Sequence, residues 1–281
     1  MPSRRHTTLV PAVLALLLAL AGTSGGTPAP APAPAAVRPS DDAATRYLYR
    51  ATWNGIPVAR AELAIAPADG AAGRAVRLRG SARTNRFLDL FWRMRDRFDA
   101  VVAVDPPAPD TFFLLQNENR RRRETTIRRD QSRLVGRLER PGKKTKHGEA
   151  ALHRALHDPA SVSYLIRTLP ADAREPRSYE VFEGRKIYRL TVTPRGREPL
   201  HALGRTWDAL KLQLELELVP RHDLPPEKNK PPKVQRADLW VAAGAERVLL
   251  RMEAPTFWGW VAIQVVDADR GPPGVVVISG G

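Results

Sequence analysis

From residue 41 onward, apolar side chains recur at every second position along much of the chain. The clearest case is residues 211–219, where one set of side chains is entirely leucine and the other is charged or polar. Such alternation is typical of a β-strand with one face in the core and one face in water. The pattern therefore predicts an antiparallel sheet covered on a single side. The apolar set is Leu212, Leu214, Leu216 and Leu218, and the polar set is Lys211, Gln213, Glu215 and Glu217.

A β-hairpin is predicted at the start of this region. Tyr47, Tyr49, Ala51 and Trp53 share one face of the first strand, and Asn54-Gly55 is a dipeptide that favours a tight two-residue turn. Ala59, Ala61, Leu63 and Ile65 then share one face of the returning strand. Further strands are predicted at residues 76–79, 97–104, 112–116, 133–140, 178–182, 186–192, 238–241, 247–253 and 260–266.

One helix interrupts the strands. Asp158 is a favourable N-cap, and Pro159 stands at the first helical position, where its missing N–H is not needed. An apolar stripe follows and ends before Pro170; it consists of Val162, Leu165, Ile166 and Leu169. We predict that this helix packs on the dry face of the sheet, and that a weaker helix spans residues 149–156.

The first forty residues predict export. Arg4, Arg5 and His6 precede an apolar run over residues 9–20, and Ala19-Leu20-Ala21 supplies the small residues of a signal-peptidase site. We predict a cleaved signal peptide at residues 1–21, a stiff Pro/Ala-rich linker at 22–40 and one β-rich domain at 41–281. The twin-arginine route and an uncleaved anchor are alternatives, although the run is shorter than the ~20 residues of a membrane span. The expected location is the periplasm or the extracellular space.

Composition narrows the class of partner. The 281 residues include 45 Lys and Arg but 30 Asp and Glu, which gives a formal net charge of +15, and no cysteine. A disulfide framework and a lipidated cysteine are therefore excluded. The positive charge favours an anionic lipid or an anionic envelope polymer, while a merely solvated basic surface is an equal alternative. Nucleic acid is disfavoured, because the arginines are not interleaved with aromatic stacking residues. We predict no cofactor and no metal.

Two sets of residues are candidates for ligand binding. The sharpest basic cluster could hold an anionic head group, or it could be a charged edge strand that deters aggregation; it consists of Arg120, Arg121, Arg122, Arg123, Arg128 and Arg129. A group of aromatic residues could line the mouth of an apolar cavity, or it could plug the end of the sheet; it consists of Trp53, Phe257, Trp258 and Trp260.

Catalytic chemistry has little support in the sequence. His153 and His157 have the spacing of two metal ligands on a helix, but no supporting acid of the zincin type lies nearby. Ser161 follows His157 by one turn and lacks the glycine context of a nucleophile elbow. Asp96 and Asp99 fall on opposite faces of a strand, so they cannot work as a glycosidase pair. Asp96 points to the dry side, where it needs a partner such as an arginine. We assign no catalytic residue.

The order of several landmarks resembles the bacterial domain-of-unknown-function 3108 family over residues 47–266. The resemblance rests on the Tyr-x-x-x-Trp-Asn-Gly-Ile-Pro-Val run at 49–58, the Arg-Asp-Arg-Phe strand at 95–98, the Leu-Trp-Val strand at 239–241 and four helix residues. Those four are Asp158, Ser161, Tyr164 and Arg167. The chain departs from the pattern by its 225–232 insertion and its Pro/Ala leader.

The resemblance implies a mainly β fold: a large curved antiparallel sheet, half-barrel-like and similar in outline to periplasmic lipoprotein carriers, with one or two helices on its apolar face. It implies no catalytic residues, and it implies that the four helix residues dock the helix. Our first hypothesis is a non-enzymatic envelope protein that binds an amphiphilic or anionic ligand, with an apolar concave face for an acyl chain. The alternatives are a hydrolase or lyase acting on envelope polysaccharide, and a structural partner of an envelope complex.

Overall fold

The computed structural model describes residues 44–70, 73–220, 234–256 and 259–270. The predicted signal peptide, the Pro/Ala-rich linker, the 225–232 insertion, Phe257 and Trp258 lie outside the described residues. None of the helices in the described residues has the length and hydropathy that a membrane crossing requires.

Strands dominate the described part of the chain. The strands are β1 (Thr45–Trp53), β2 (Ile56–Gly70), β3 (Gly73–Thr84), β4 (Arg95–Val104), β5 (Pro107–Glu118), β6 (Arg121–Asp130), β7 (Arg133–Glu139), β8 (Lys146–Ala151), β9 (Leu156–His157), β10 (Arg177–Phe182), β11 (Ile187–Ala202), β12 (Arg205–Leu218), β13 (Gln235–Ala242), β14 (Leu249–Thr256) and β15 (Gly259–Arg270). The helices are α1 (Arg86–Asp89) and α2 (Pro159–Arg167).

All fifteen described strands belong to one sheet, in the order β8-β7-β6-β5-β4-β3-β2-β1-β15-β14-β13-β12-β11-β10-β9. The strands from β1 to β8 form one meander, those from β10 to β15 form another with β9 added at its edge, and the β1–β15 ladder joins the two. Every pair is antiparallel except the short β9–β10 pair. The predicted mainly β architecture with a large antiparallel sheet is confirmed.

The alternating pattern places the core on one face of this sheet. In β12, Leu212 and Leu214 are buried, while Lys211, Gln213 and Glu215 on the other face are partly open to solvent. The predicted first hairpin also forms, because Asn54 and Gly55 adopt the positive φ angles that a tight hairpin turn requires. One face of each long strand therefore supplies the apolar core, as the sequence predicts.

The sheet curves so strongly that its two arms meet the same helix. Helix α2 contacts β4 and β5 on one arm and β9 and β10 on the other, although these pairs lie far apart in the strand order. The β10–β11 turn also reaches the inner face of the opposite arm: a Cβ at Gly136 would lie 2.0 Å from the Gly184 carbonyl oxygen. Only a residue without a side chain allows this approach. The inner face is thus closed by packing.

Helix α2 has the predicted start and the predicted buried side. The Asp158 carboxylate accepts a hydrogen bond from the Ser161 N–H at 2.6 Å, and the Ser161 hydroxyl accepts one from the Asp158 N–H at 3.0 Å. This reciprocal pair is a capping box, which satisfies two of the free N–H groups at the helix start. Val162 and Ile166 are fully buried against the sheet.

Two local predictions are wrong. Residues 149–156 do not form a helix: residues up to Ala151 belong to β8, in which Gly148 and Ala150 pair with Gly136 and Leu134 of β7. The second is the edge-strand alternative for the basic cluster: β6, which carries all of these arginines except Arg120, pairs with both β5 and β7 and is not an edge strand. Its arginines extend beyond the core at both strand ends, while Thr125 and Ile127 at its centre are buried.

Candidate anion-binding site

The six arginines of the predicted basic cluster do not gather at one site. Arg120 lies in the β5–β6 turn, whereas Arg128 and Arg129 lie near the other end of β6. Within the strand, Arg122 pairs with Glu124 at 2.6 Å, and Arg123, on the opposite face, pairs with Glu183 at 3.0 Å. Arg121 is exposed. The structure therefore divides this cluster between two ends and two faces of the strand.

The predicted aromatic cluster is also divided. Trp53 points inward and packs against the core, and it pairs in register with Val261 of β15. Trp260 precedes Val261 and therefore faces outward, where its side chain is 61% exposed. These two tryptophans do not line a common cavity.

The inner face is filled in the described residues. Helix α2 occupies the space between the two arms, and its residues Ala160 and Val162 have no exposed surface. The β10–β11 turn covers Gly136 and Gly148 from the same side. We expected an apolar concave face that holds an acyl chain; instead, the protein's own helix and turn pack there.

The four helix-motif residues either cap the helix or contact neighbouring parts of the fold. Asp158 and Ser161 form the capping box, and the Arg167 guanidinium donates to the Arg247 carbonyl oxygen at 2.9 Å, which joins the helix to the β13–β14 connection. Tyr164 is partly buried beside the core. Burial raises the pKa of Asp158 to about 6, because the hydrogen bonds from Ser161 only partly offset the loss of solvent.

The other titratable candidates lie in separate surroundings. Asp96 points inward from β4 and is buried; one carboxylate oxygen accepts from the Asn117 N–H at 2.8 Å, and the other has no partner among the described residues. Its expected arginine partner is therefore replaced by a backbone amide. Burial raises the pKa of Asp96 to about 7. Asp99, on the other face of the strand, pairs with Arg77 at 2.6 Å.

The histidines are held on β9 and in the loop before it. His157 is buried edge-on against Tyr179, and burial lowers its pKa to about 4. His153 is more exposed and lies 3.2 Å from Glu180. Within the described ranges, no group of three or more His, Cys, Asp or Glu side chains could hold a metal ion. Among the described residues, Asp96, Asp99, His153 and His157 form no hydrogen bond or ion pair with one another.

A site that the sequence analysis missed lies on the outer face. Arg50 of β1 stands directly opposite Arg60 of β2, and Arg60 stands directly opposite Arg83 of β3. Side chains in such positions have Cβ atoms about 4.5–5.5 Å apart. We call Arg50, Arg60 and Arg83 the arginine row. All three side chains are exposed.

The arginine row borders a depression of about 360 Å³ on the outer face. Leu48 and Val266 form its apolar side, and both side chains are exposed. The β1–β15 register shifts between Leu48 and Tyr49, so Val266 is an extra residue in β15 opposite that step. Such a bulge redirects side chains and twists the strand locally. Glu62, Ser81 and Asp267 complete the polar lining.

Among the described residues, no ion pair neutralises the charges of the arginine row. None of the three guanidinium groups has a salt-bridge partner among the described residues. In contrast, the next arginine in the same line, Arg95, is neutralised by Asp89 at 2.5 Å. Each guanidinium offers five N–H donors in a planar fork that fits a phosphate or carboxylate. Three guanidinium groups beside an exposed apolar side suit the anionic head of an amphiphile.

To predict the arginine row from the sequence, the strand register of the first hairpin would have to be known. A two-residue turn at Asn54-Gly55, extended without interruption, would place Arg50 opposite Ala59. The β1–β2 register shifts between Ala51 and Thr52, and this shift brings Arg60 opposite Arg50. The sequence does show that Arg60 shares a face with Glu62, but the bulge that aligns it with Arg50 has no evident sequence signal.

Comparison with known families gives one match. The model of the family DUF3108, described as a protein of unknown function, matches residues 48–266. A comparison with curated proteins finds no match.

Solved structures give a likeness of fold. The chain is similar to the β-barrel-like protein of domain of unknown function DUF1849 from Brucella abortus, with 9% identity, a TM-score of 0.52 and coverage of 81% of this chain and 98% of that one. It is more distantly similar to a lipoprotein candidate from Parabacteroides distasonis, with 8% identity, a TM-score of 0.37 and coverage of 80% and 95%. For an exported-protein candidate with a YmcC-like fold from Bacteroides fragilis, the values are 9%, 0.32, 81% and 94%. At these identities, only the fold is comparable.

Proposed function

The chain belongs to the DUF3108 family of proteins of unknown function, and from that premise we propose that it is an exported cell-envelope protein that binds an anionic amphiphile without catalysing a reaction. In this proposal, residues 1–21 are removed on export, residues 22–40 form a spacer, and residues 41–281 form one binding domain in the periplasm or outside the cell. The basic start and the apolar run of the leader support export.

The observation that carries the binding proposal is the arginine row. Like charges placed directly opposite one another across an antiparallel pair destabilise the sheet. Arg60 is in this position on both sides, with Arg50 on one strand and Arg83 on the other. An anion bound between them would relieve this repulsion. The row is therefore better suited to a bound anion than to an empty surface.

The surroundings of the row support an amphiphile over a simple anion. Leu48 and Val266 are exposed beside the guanidinium groups and form an apolar strip next to the charges. Glu62 and Asp267 lie in the same depression, so the local formal charge is +1, from three arginines and two carboxylates. We propose that one phosphate or similar group binds the arginines, while the first part of an acyl chain contacts Leu48 and Val266.

A binding experiment with short-chain lipids below their micelle concentration tests this proposal. Native mass spectrometry would compare dihexanoyl phosphatidylglycerol, dihexanoyl phosphatidylcholine and inorganic phosphate on the wild-type protein. We expect the anionic lipid to bind more tightly than either of the other two, since it alone offers both an unbalanced negative charge and an apolar tail. Equal binding of the two lipids would contradict recognition of the charge, and equal binding of phosphate would contradict recognition of the tail.

Variants locate the site. Arg60→Gln removes the central charge of the row and should weaken binding of the anionic lipid by about tenfold or more, since a hydrogen bond to a charged group contributes about 1.5–3 kcal/mol. The matched control is Arg46→Gln, which removes the same charge from the outer face of β1, where Arg46 stands opposite Ala64 and Asp269. The control should bind like the wild type. Equal weakening in both variants would show that only net charge matters.

Export is tested separately. The intact mass of the protein recovered from the periplasm or medium of its host should correspond to a chain that begins after Ala21. Recovery of the full-length chain, or of protein only from the cytoplasm, would overturn this part of the proposal without bearing on the arginine row.

A further inference from the structure

Exposed apolar side chains concentrate on one rim of the sheet. Of the eight large hydrophobic residues that are exposed in the described part of the chain, five lie in or next to the β1–β2, β3–β4 and β14–β15 connections at this rim. Leu90 and Phe91 are the most exposed, at 77% and 73%. We call these five residues the apolar rim: Ile56, Phe87, Leu90, Phe91 and Trp260.

Hydrogen bonds join the connections that carry the apolar rim. In the β1–β2 turn, Asn54 donates its N–H to the Trp260 carbonyl oxygen at 3.0 Å, and its side chain accepts from the Trp260 N–H at 2.9 Å. The Asn85 N–H donates to the Val58 carbonyl oxygen at 2.8 Å, and the Asn85 side chain caps α1 at the Leu88 N–H. These hydrogen bonds hold the adjoining turns together as one surface, on which the side chains of the apolar rim are exposed.

The rings within this surface are also ordered. Phe87 and Phe91 meet edge to face with their centroids 6.0 Å apart, yet both remain mostly exposed. Singly exposed apolar side chains are normal on protein surfaces, whereas a contiguous exposed patch marks an interaction site. The arrangement therefore favours a partner that covers it.

Positive charge borders the apolar rim. The β5–β6 turn is tied to the chain after Phe91, because the Asn119 N–H donates to the Arg93 carbonyl oxygen and the Arg93 N–H donates to the Asn119 side chain, both at 2.7 Å. This brings Arg120 beside Arg93. Neither forms an ion pair among the described residues, and the same holds for Arg86 of α1. The nearby carboxylate of Asp89 is already bound by Arg95.

An anionic membrane surface fits these features better than a second copy of the chain. Aromatic and leucine side chains enter the boundary between lipid head groups and acyl chains, and arginines beside them are attracted to anionic head groups. In a two-fold symmetric dimer, the same rim would face itself, and its arginines would meet like charges. The charge distribution therefore selects the lipid surface.

We propose that the apolar rim docks on the surface of an anionic lipid bilayer. Phe87, Leu90 and Phe91 enter the head-group region, and Arg86, Arg93 and Arg120 contact lipid phosphates around them. This inference stands on different residues from the arginine row and does not depend on it. If both hold, the depression on the outer face lies a short distance from the membrane surface.

Vesicle co-sedimentation tests the proposal. The full mature protein should bind vesicles made of equal parts phosphatidylglycerol and phosphatidylcholine, and bind vesicles of phosphatidylcholine alone much more weakly. The double variant Leu90→Ser and Phe91→Ser should reduce partitioning to the anionic vesicles by about tenfold or more, since it removes two large apolar side chains from the contact. Both residues are exposed, so the fold should remain, and circular dichroism checks this.

The matched control is Arg46→Gln, which removes one exposed charge from the outer face of β1, at the strand end away from Trp53 and the rim. It should bind vesicles like the wild type. Vesicle binding that is kept in the rim variant, or lost equally in Arg46→Gln, would overturn the inference. Sedimentation velocity tests the alternative that a second copy of the chain covers the rim. If the wild type is a dimer and the rim variant is a monomer, the partner is a second copy, and the inference of membrane docking is overturned.

Discussion

If the opposed arginines of the arginine row serve ligand binding at a cost in stability, removing the central charge should make the ligand-free protein more stable. In Arg60→Gln, two opposed like-charge pairs disappear, those with Arg50 and with Arg83. Opposed pairs of this kind change stability by roughly 0.2–1 kcal/mol each. Because the three side chains are exposed to water, we expect the lower part of that range, which gives a gain of about 0.5–1 kcal/mol for the two pairs together.

Urea unfolding at low salt measures this gain. For a slope of about 2 kcal/mol per molar urea, the midpoint of Arg60→Gln should rise by about 0.2–0.5 M. At 1 M salt the Debye length falls from about 10 Å to about 3 Å, so the gain should shrink. Arg46→Gln, the control on the outer face of the neighbouring strand β1, should show no comparable gain.

Adding dihexanoyl phosphatidylglycerol should reverse the order. A ligand that binds only the folded state stabilises it by about 2.7 kcal/mol at a concentration of about 100 times its Kd. The wild type should then become more stable than Arg60→Gln, which binds weakly. If Arg60→Gln is no more stable than the wild type in the absence of lipid and at low salt, the reasoning from opposed arginines is refuted.

Three further predictions concern the core. Asp96→Asn should be more stable than the wild type at pH 8 and lose this advantage toward pH 4. Burial raises the pKa of Asp96 to about 7 in the folded state, so wild-type stability falls as the pH rises from about 4 to about 7. Urea unfolding across this pH range measures the difference. Ser161→Ala removes one half of the capping box with Asp158 and should cost about 1 kcal/mol in the same assay. Gly136→Ala forces a Cβ against the backbone of the β10–β11 turn and should cost about 3 kcal/mol or more, whereas Gly244→Ala, where the new Cβ has no neighbour within 4 Å, should be nearly neutral.

The sheet and the helix could be predicted because each depends on local pattern. The leucines of β12 alternate without exception, and that period allows only a strand with one dry face. The capping box of α2 needs only Asp158, Pro159 and Ser161 in sequence. The helix predicted at residues 149–156 was wrong for the opposite reason. The weak helical pattern there was outweighed by strand pairing with β7, for which the sequence has no local signal.

The candidate sites depend on contacts between distant residues. The arginine row requires the correct register of three strands, and one β-bulge in the first hairpin decides whether Arg60 faces Arg50. The apolar rim requires three turns to meet, at positions as far apart as Asn54 and Trp260. The basic run at Arg120 was visible in the sequence, but its place beside Arg93 and the apolar rim was not. Sequence periodicity gives the face of a residue, not its neighbours on the next strand.

The strand order also determines how such a chain can be assembled. Nearly every ladder joins strands that are consecutive in sequence, but β1 pairs with β15, the last described strand of the chain. Until β15 is in place, β1 presents an unsatisfied backbone edge that other chains could join. The half-finished sheet is thus the state at greatest risk of aggregation, and a chaperone that shields this seam would act on the folding protein rather than on the finished one.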